Sequence, residues 1–211
     1  MYGVQRIAIL RSRTLFQKRS TLNARALTLV GLLVVTGIIV VVSAIILANN
    51  SQFGGLITLE NLTYEMALSV RQAQIYGIAV RRFGASNYSA GYGMHFEKTS
   101  PSSYQLFADA VIANGLYDTN ELVQSTTLTG GYHITDLCVR LPGSTSTACS
   151  AYTCGLDRLD ILFKRPEPDA FIRANGNSAL NEAACIIVTS PRGDSQKKAV
   201  VIEATGQISV Q

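Results

Sequence analysis

"RALTLVGLLVVTGIIVVVSAIILANN", Arg25 to Asn50, decides how the rest of the chain is read. Within it, Leu27–Ala48 is a run of 22 residues without a charge. A helix of that length spans about 33 Å, enough to cross a hydrocarbon core of roughly 30 Å. The run is longer than the roughly 7–15 apolar residues of a cleaved export signal. Its β-branched residues, from Val34 to Ile46, do not oppose a helix. In lipid, a lone segment satisfies its backbone amides only by becoming helical. A core helix apolar on every face fits a small domain poorly. The stretch therefore predicts a transmembrane helix over 27–48.

The flanks set its orientation. Arg6, Arg11, Arg13, Lys18, Arg19 and Arg25 precede Leu27 with no acidic residue among them. The remainder holds twelve basic and fourteen acidic residues, a net of −2. The overall charge of +4 and the pI near 8.9 thus belong to the tail and do not imply a basic surface on the folded part. A basic tail stays in the cytoplasm, which puts the C-terminal part outside. Cys138, Cys149, Cys154 and Cys185 all lie in that part, and an even count in an oxidising compartment suggests two disulfides. Cys138 with Cys185 and Cys149 with Cys154 form a plausible set, but all three connectivities stay open.

Beyond "NNSQFGG" the apolar pattern thins to Leu56, Leu59, Leu62, Met66, Val70, Ala73, Gly77 and Val80, spaced by three and four residues as on one helical face. Glu60, Asn61, Glu65, Arg71, Gln72 and Gln74 between them suit water. Gly54-Gly55 marks a soft point, and Arg81, Arg82 and Gly84 signal a stop. From about Tyr88 the period shortens. "YGMHFEK", "SYQLFADAV", "HITDLCV", "RLDILFK", "DAFIRA", "ACIIVTS", "KAVVIEA" and "QISV" read as strands, separated by turns such as Asn114-Gly115, Gly130-Gly131, Pro142-Gly143, Asn175-Gly176 and Thr205-Gly206. The expected class is α+β, with the long helix packed on one face of a mostly antiparallel sheet. Four regions follow: a basic leader over 1–26, the transmembrane helix over 27–48, its amphipathic continuation over 49–84, and a β-sheet domain over 85–211.

That order resembles the type IV pilin-like proteins, which include the type II secretion pseudopilins. "SVRQAQIYGIAVRR" and "IIVTSPRGDSQKKAVVIEATGQISV" look most like minor pseudopilins of the GspH/FimT type. The resemblance covers residues 20–85 best and the last strands more loosely; 99–158 match nothing. It implies a pilin-like fold in the bacterial inner membrane, with the C-terminal domain outside the cytoplasm. It further implies leader removal between Ala26 and Leu27 by a prepilin peptidase, methylation of the new N-terminus, and assembly with other pilin subunits on an inner-membrane platform. The family pattern G-F-T-L-x-E aligns with Ala26, Leu27, Thr28, Leu29, Val30 and Gly31. Alanine keeps the cleavage position small, and leucine is a mild change. Gly31 stands where the family has a glutamate that pairs with a neighbour's N-terminal amine, which tilts the reading to a minor subunit and leaves room for a chain that is never processed. Leu27, Thr28, Gly31, Thr36, Gly37, Ser43 and Ala44 offer a helix assembly face with small side chains for close approach.

Other clusters point to little chemistry. Cys149 and Cys154, spaced C-x4-C near His133, lack the pattern of a zinc site, and disulfides are the reading adopted. His95 alternates with apolar neighbours and is expected to face solvent on a strand. Neither histidine sits in a hydrolase motif such as G-x-S-x-G, and "GYG" at 91–93 lacks the flanks of a phosphate loop. No catalytic residue, metal site or cofactor is expected. Arg192, Lys197 and Lys198 in "RGDSQKK", with Lys164 and Arg165 in "FKRPEP", place cations near turns and could touch DNA phosphates. Asp194, Glu167 and Asp169 dilute both groups. The expected function is therefore structural, a minor pilin or pseudopilin that moves from membrane lipid into a filament. The alternatives are a DNA-uptake or adhesion pilin binding through exposed loops, and an unprocessed, membrane-anchored periplasmic protein of unrelated function.

Overall fold

The computed structural model describes residues 28–79, 81–84, 88–191 and 196–211. The chain divides into two units, Met1–Ile46 and Leu47–Gln211. Helix α1 runs Leu29–Ile78. Among the described residues the second unit adds ten strands: β1 (Gly91–Glu97), β2 (Ser103–Asp109), β3 (Leu122–Thr127), β4 (His133–Arg140), β5 (Thr153–Cys154), β6 (Arg158–Phe163), β7 (Ala170–Ala174), β8 (Ala183–Thr189), β9 (Lys197–Glu203) and β10 (Ile208–Val210). A 3-10 turn, Cys149–Ala151, precedes β5. The class is α+β, as expected. The strands, however, form two antiparallel sheets instead of one, ordered β3-β2-β1-β6-β7 and β10-β9-β8-β4-β5.

Both sheets share one core with α1. Leu59, Leu62, Met66, Val70 and Ala73 of the helix cluster with Met94, Phe96, Leu159, Ile161 and Ile172 of the first sheet and Ile134, Val139, Ile186, Val188, Val200 and Ile202 of the second. Burying each large aliphatic side chain contributes about 1.5–3 kcal/mol, so this helix face is a principal stabiliser. Leu56, the first residue of the expected stripe, is 38% exposed, and Val80 lies outside the described residues. Gly54 and Gly55 fall within the helix, where Tyr132 donates its hydroxyl to the Gly55 carbonyl at 2.9 Å. The helix ends at Ile78, three residues before Arg81.

Gln74 corrects the sequence reading. It is buried instead of facing water, and its Nε2 donates to the carbonyls of Pro168 at 2.9 Å and Gly206 at 3.0 Å. Gly206 adopts φ +81, and a Cβ there would strike the Pro168 carbonyl, so the turn before β10 closes tightly on the helix.

Two strands escaped the sequence. β3, "LVQSTT", is largely exposed on both faces and so shows no alternation to read. β5 is two residues long and pairs Cys138 with Cys154 and Val139 with Thr153.

Gly77 sets the approach of α1 to the first sheet. A Cβ there would collide with the carbonyl of Phe163, at 2.7 Å from its carbon. Gly77→Ala should destabilise the domain by about 1–3 kcal/mol in urea unfolding, even though alanine favours helix by roughly 1 kcal/mol. An unchanged or higher midpoint would mean that helix and strand do not meet so closely.

Candidate interaction surfaces

The first candidate surface is the apolar part of α1. Thr28 caps the helix: its Oγ1 accepts the Gly31 N–H at 3.2 Å, and its carbonyl accepts the Leu32 N–H at 3.1 Å. From Leu29 to Leu47 the helix is long and apolar enough to span a membrane, and none of its residues is buried. The Thr36 hydroxyl donates to the Leu33 carbonyl at 3.0 Å, so it needs no outside partner in an apolar medium. Thr36 and Ser43, like Gly37 and Ala44, are seven residues apart and share one side of the helix. Gly31 points roughly 120–140° away from them, so the expected small-residue face splits in two. The expected cleavage pair, Ala26 and Leu27, lies outside the described residues.

In the second unit, the outer face of each sheet is covered by a loop. On the second sheet the cover is the connection from β4 to β6. Disulfides join Cys138 to Cys154 and Cys149 to Cys185. This is not the set favoured from the sequence. Cys138 lies on β4 between β5 and β8, in register with Cys154 on one side and Cys185 on the other. Strand register therefore places it beside both, and Cys185 takes Cys149 from the covering loop. Tyr152 of that loop packs with Ala183, Ala199 and Val201. Arg140 holds it from below, donating to the Ser146 carbonyl at 3.1 Å while pairing with Glu203 at 2.5 Å.

On the first sheet the cover is the loop from β2 to β3, held by carboxyl groups. Glu121, fully buried, accepts through Oε1 the backbone N–H groups of Ala110 at 3.1 Å, Val111 at 2.9 Å and Ile112 at 3.1 Å, and through Oε2 that of Asp118 at 3.1 Å. Asp109 accepts the Gly115 N–H at 3.0 Å. Asp160 accepts the Tyr117 N–H at 3.2 Å and the Arg158 Nε–H at 2.7 Å, and meets His95 Nδ1 at 2.8 Å. The Tyr117 ring lies over His95, with centroids 4.7 Å apart.

His95 therefore does not face solvent. The expectation followed strand alternation correctly, for His95 does point away from the core, but the loop covers that face and leaves it 3% exposed. His133 is half-buried near the Gly131 carbonyl at 3.3 Å. Among the described residues no group of three or more His, Cys, Asp or Glu could hold a metal ion. None of the buried carboxyl groups was singled out in the sequence. The only local signal was turn chemistry around Asn114-Gly115.

Two of the expected cations do not converge. Lys197 and Lys198 are successive residues of β9 and point to opposite faces, the first exposed and the second half-buried. Arg192 lies outside the described residues. Arg165 donates to the Tyr88 carbonyl at 2.6 Å.

Compared with family models, curated proteins and solved structures, the chain matches none.

The loop on the first sheet yields two predictions. Glu121→Ala removes the acceptor shared by four backbone N–H groups and should cost about 1–3 kcal/mol, with faster amide exchange at Ala110, Val111, Ile112 and Asp118. Exchange unchanged at those four sites would refute the clasp. Burial raises the Asp109 pKa, helped by the nearby Glu121 and opposed by the Gly115 N–H and Lys164. The folded state then binds this proton more tightly than the unfolded chain. Its contribution to stability is complete below the ordinary carboxyl range and is lost as pH rises through the folded value. Asp109→Asn, uncharged throughout, should gain stability over the parent as pH rises above the ordinary carboxyl range in urea unfolding; parallel curves would contradict this.

Proposed function

We propose that the chain is a membrane-inserted minor subunit of a pilin-type filament, assembled through α1 once its leader is removed. The observation that carries this reading is the helix over Leu29–Leu47, apolar on all sides and with none of its residues buried among the described residues. Burying that much aliphatic surface is worth tens of kcal/mol, about 1.5–3 kcal/mol for each large side chain, so it needs an apolar surrounding. Lipid provides one and the helices of sister subunits another, so transfer between them costs little hydrophobic energy. The side carrying Thr36, Gly37, Ser43 and Ala44 lets a second helix backbone approach closely.

A second feature supports helix-on-helix assembly. In the second unit α1 keeps an unburied stripe, Ile57, Tyr64, Leu68 and Ile75, exposed by 59, 52, 68 and 56%. Its steps of seven, four and seven follow the spacing of a helix–helix seam, on the side opposite the core-facing residues. The β domain is then the exported part, stapled by disulfides suited to an oxidising compartment. This role needs no catalysis and no cofactor.

Extracted from its native membrane, the mature chain should begin at a methylated Leu27 by mass spectrometry. A photo-crosslinking residue at Ser43 should give adducts to a copy or a sister subunit, more than one at Leu47. A retained Met1–Ala26 together with an absence of adducts at either site would overturn the reading.

A further inference from the structure

β10 closes one side of the second sheet, and its outer edge is open among the described residues. Ala199 and Gln211 exchange both backbone hydrogen bonds at 2.9 Å, and the Glu203 N–H donates to the Gln207 carbonyl at 2.9 Å. In an antiparallel ladder this turns residues 207, 209 and 211 toward β9 and directs the N–H and C=O groups of Ile208 and Val210 to the free edge. Edge strands are normally blunted by a charge, a proline or a bulge. Ile208, Ser209 and Val210 carry none of these.

A groove of about 690 Å³ runs beside the start of that edge. Tyr64, Ala67, Leu68 and Arg71 of α1 line it, facing the turn Thr205–Gly206 and Ile208. The volume suits a bound segment. Gln74 ties the helix to the turn through Pro168 and Gly206, so the groove is formed in advance. Arg71 is exposed and donates to Gln74 Oε1 at 2.5 Å, and no carboxyl of the described residues lies within 4.0 Å of it.

We propose that this groove receives an extended segment of a partner protein, which adds a strand to β10. The segment seats an apolar side chain against Tyr64 and Leu68 and sets an acidic residue against Arg71. Main-chain hydrogen bonds to Ile208 and Val210 supply affinity, and the groove and the guanidinium supply selectivity. The other sheet edges lack this combination. β5 has two residues and a disulfide, Ile172 of β7 takes a bridge from Asn181, and β3 borders none of the grooves described. The inference holds whether or not the chain enters a filament.

The test uses the full-length, 15N-labelled chain in detergent micelles and an acetylated heptapeptide of alternating valine and threonine with a central glutamate. At saturation the amides of Ile208 and Val210 should shift and exchange at least tenfold more slowly. The same peptide with a central proline should leave them unchanged. Val210→Pro removes an outward N–H without touching the β9 ladder, and should weaken binding at least tenfold at an unaltered unfolding midpoint. Arg71→Gln should weaken binding of the glutamate peptide threefold or more and leave a glutamine version unaffected. Unprotected Ile208 and Val210 amides at millimolar peptide, or equal protection by the proline-bearing peptide, would overturn the proposal whatever the fate of the Val210 variant.

Discussion

Leu59, Leu62, Met66, Val70 and Ala73 fill the space between two sheets, and the rest of the domain follows from that wedge. Side chains spaced by three and four present one continuous apolar surface, and the inner faces of both sheets close on it. The fit depends on details that burial alone does not supply. Gly77 lets the backbone of α1 meet that of Phe163, and Gln74, buried on the helix, donates to the carbonyls of Pro168 and Gly206. One helix face therefore sets how the inner faces of the two sheets meet.

With the inner faces committed to the helix, each sheet is left with an outer face to cover, and the chain solves the two cases by different chemistry. Two disulfides fasten the loop over the second sheet, where Cys138 and Cys185 stand side by side. Over the first sheet, Glu121, Asp109 and Asp160 collect backbone N–H groups from one loop. Three consecutive amides converge on a single Glu121 oxygen, the arrangement by which a backbone nest holds an anion. The covalent cover depends on an oxidising environment. The carboxyl cover depends on every buried oxygen finding a donor, since an unpartnered one costs about 1–3 kcal/mol.

What stays uncovered bears on association. In the second unit the side of α1 opposite the wedge keeps Tyr64 and Leu68 in solvent, and next to it β10 ends the second sheet with backbone groups that are open among the described residues. A helix seam and a strand edge recognise partners in different ways, one by side-chain packing and the other by main-chain hydrogen bonds. Leu68 belongs to the seam and also lines the groove, so a segment lying there would compete with a helix packed on the same residue.

Much of the fold was legible because it is written in local periodicity. The uncharged run, the three-and-four spacing of Leu59 to Gly77 and the alternation of eight strands are properties of neighbouring residues, and the α+β class follows from them. β3 was not legible, because an edge strand polar on both faces has no alternation to show. The burial of His95, Gln74 and Glu121 was not legible either. A strand pattern says which face a side chain takes, but not that a distant loop will cover that face, and a polar residue on a helix looks solvated until a turn more than ninety residues away arrives to use it. The disulfide pairing likewise waited on register, because Cys138 has a cysteine neighbour on both sides. By itself, then, the sequence determined the periods and the apolar surfaces, which depend on spacing along the chain. Only the tertiary structure decided which polar groups lie inside and which cysteines meet, because those outcomes depend on contacts between segments far apart in sequence.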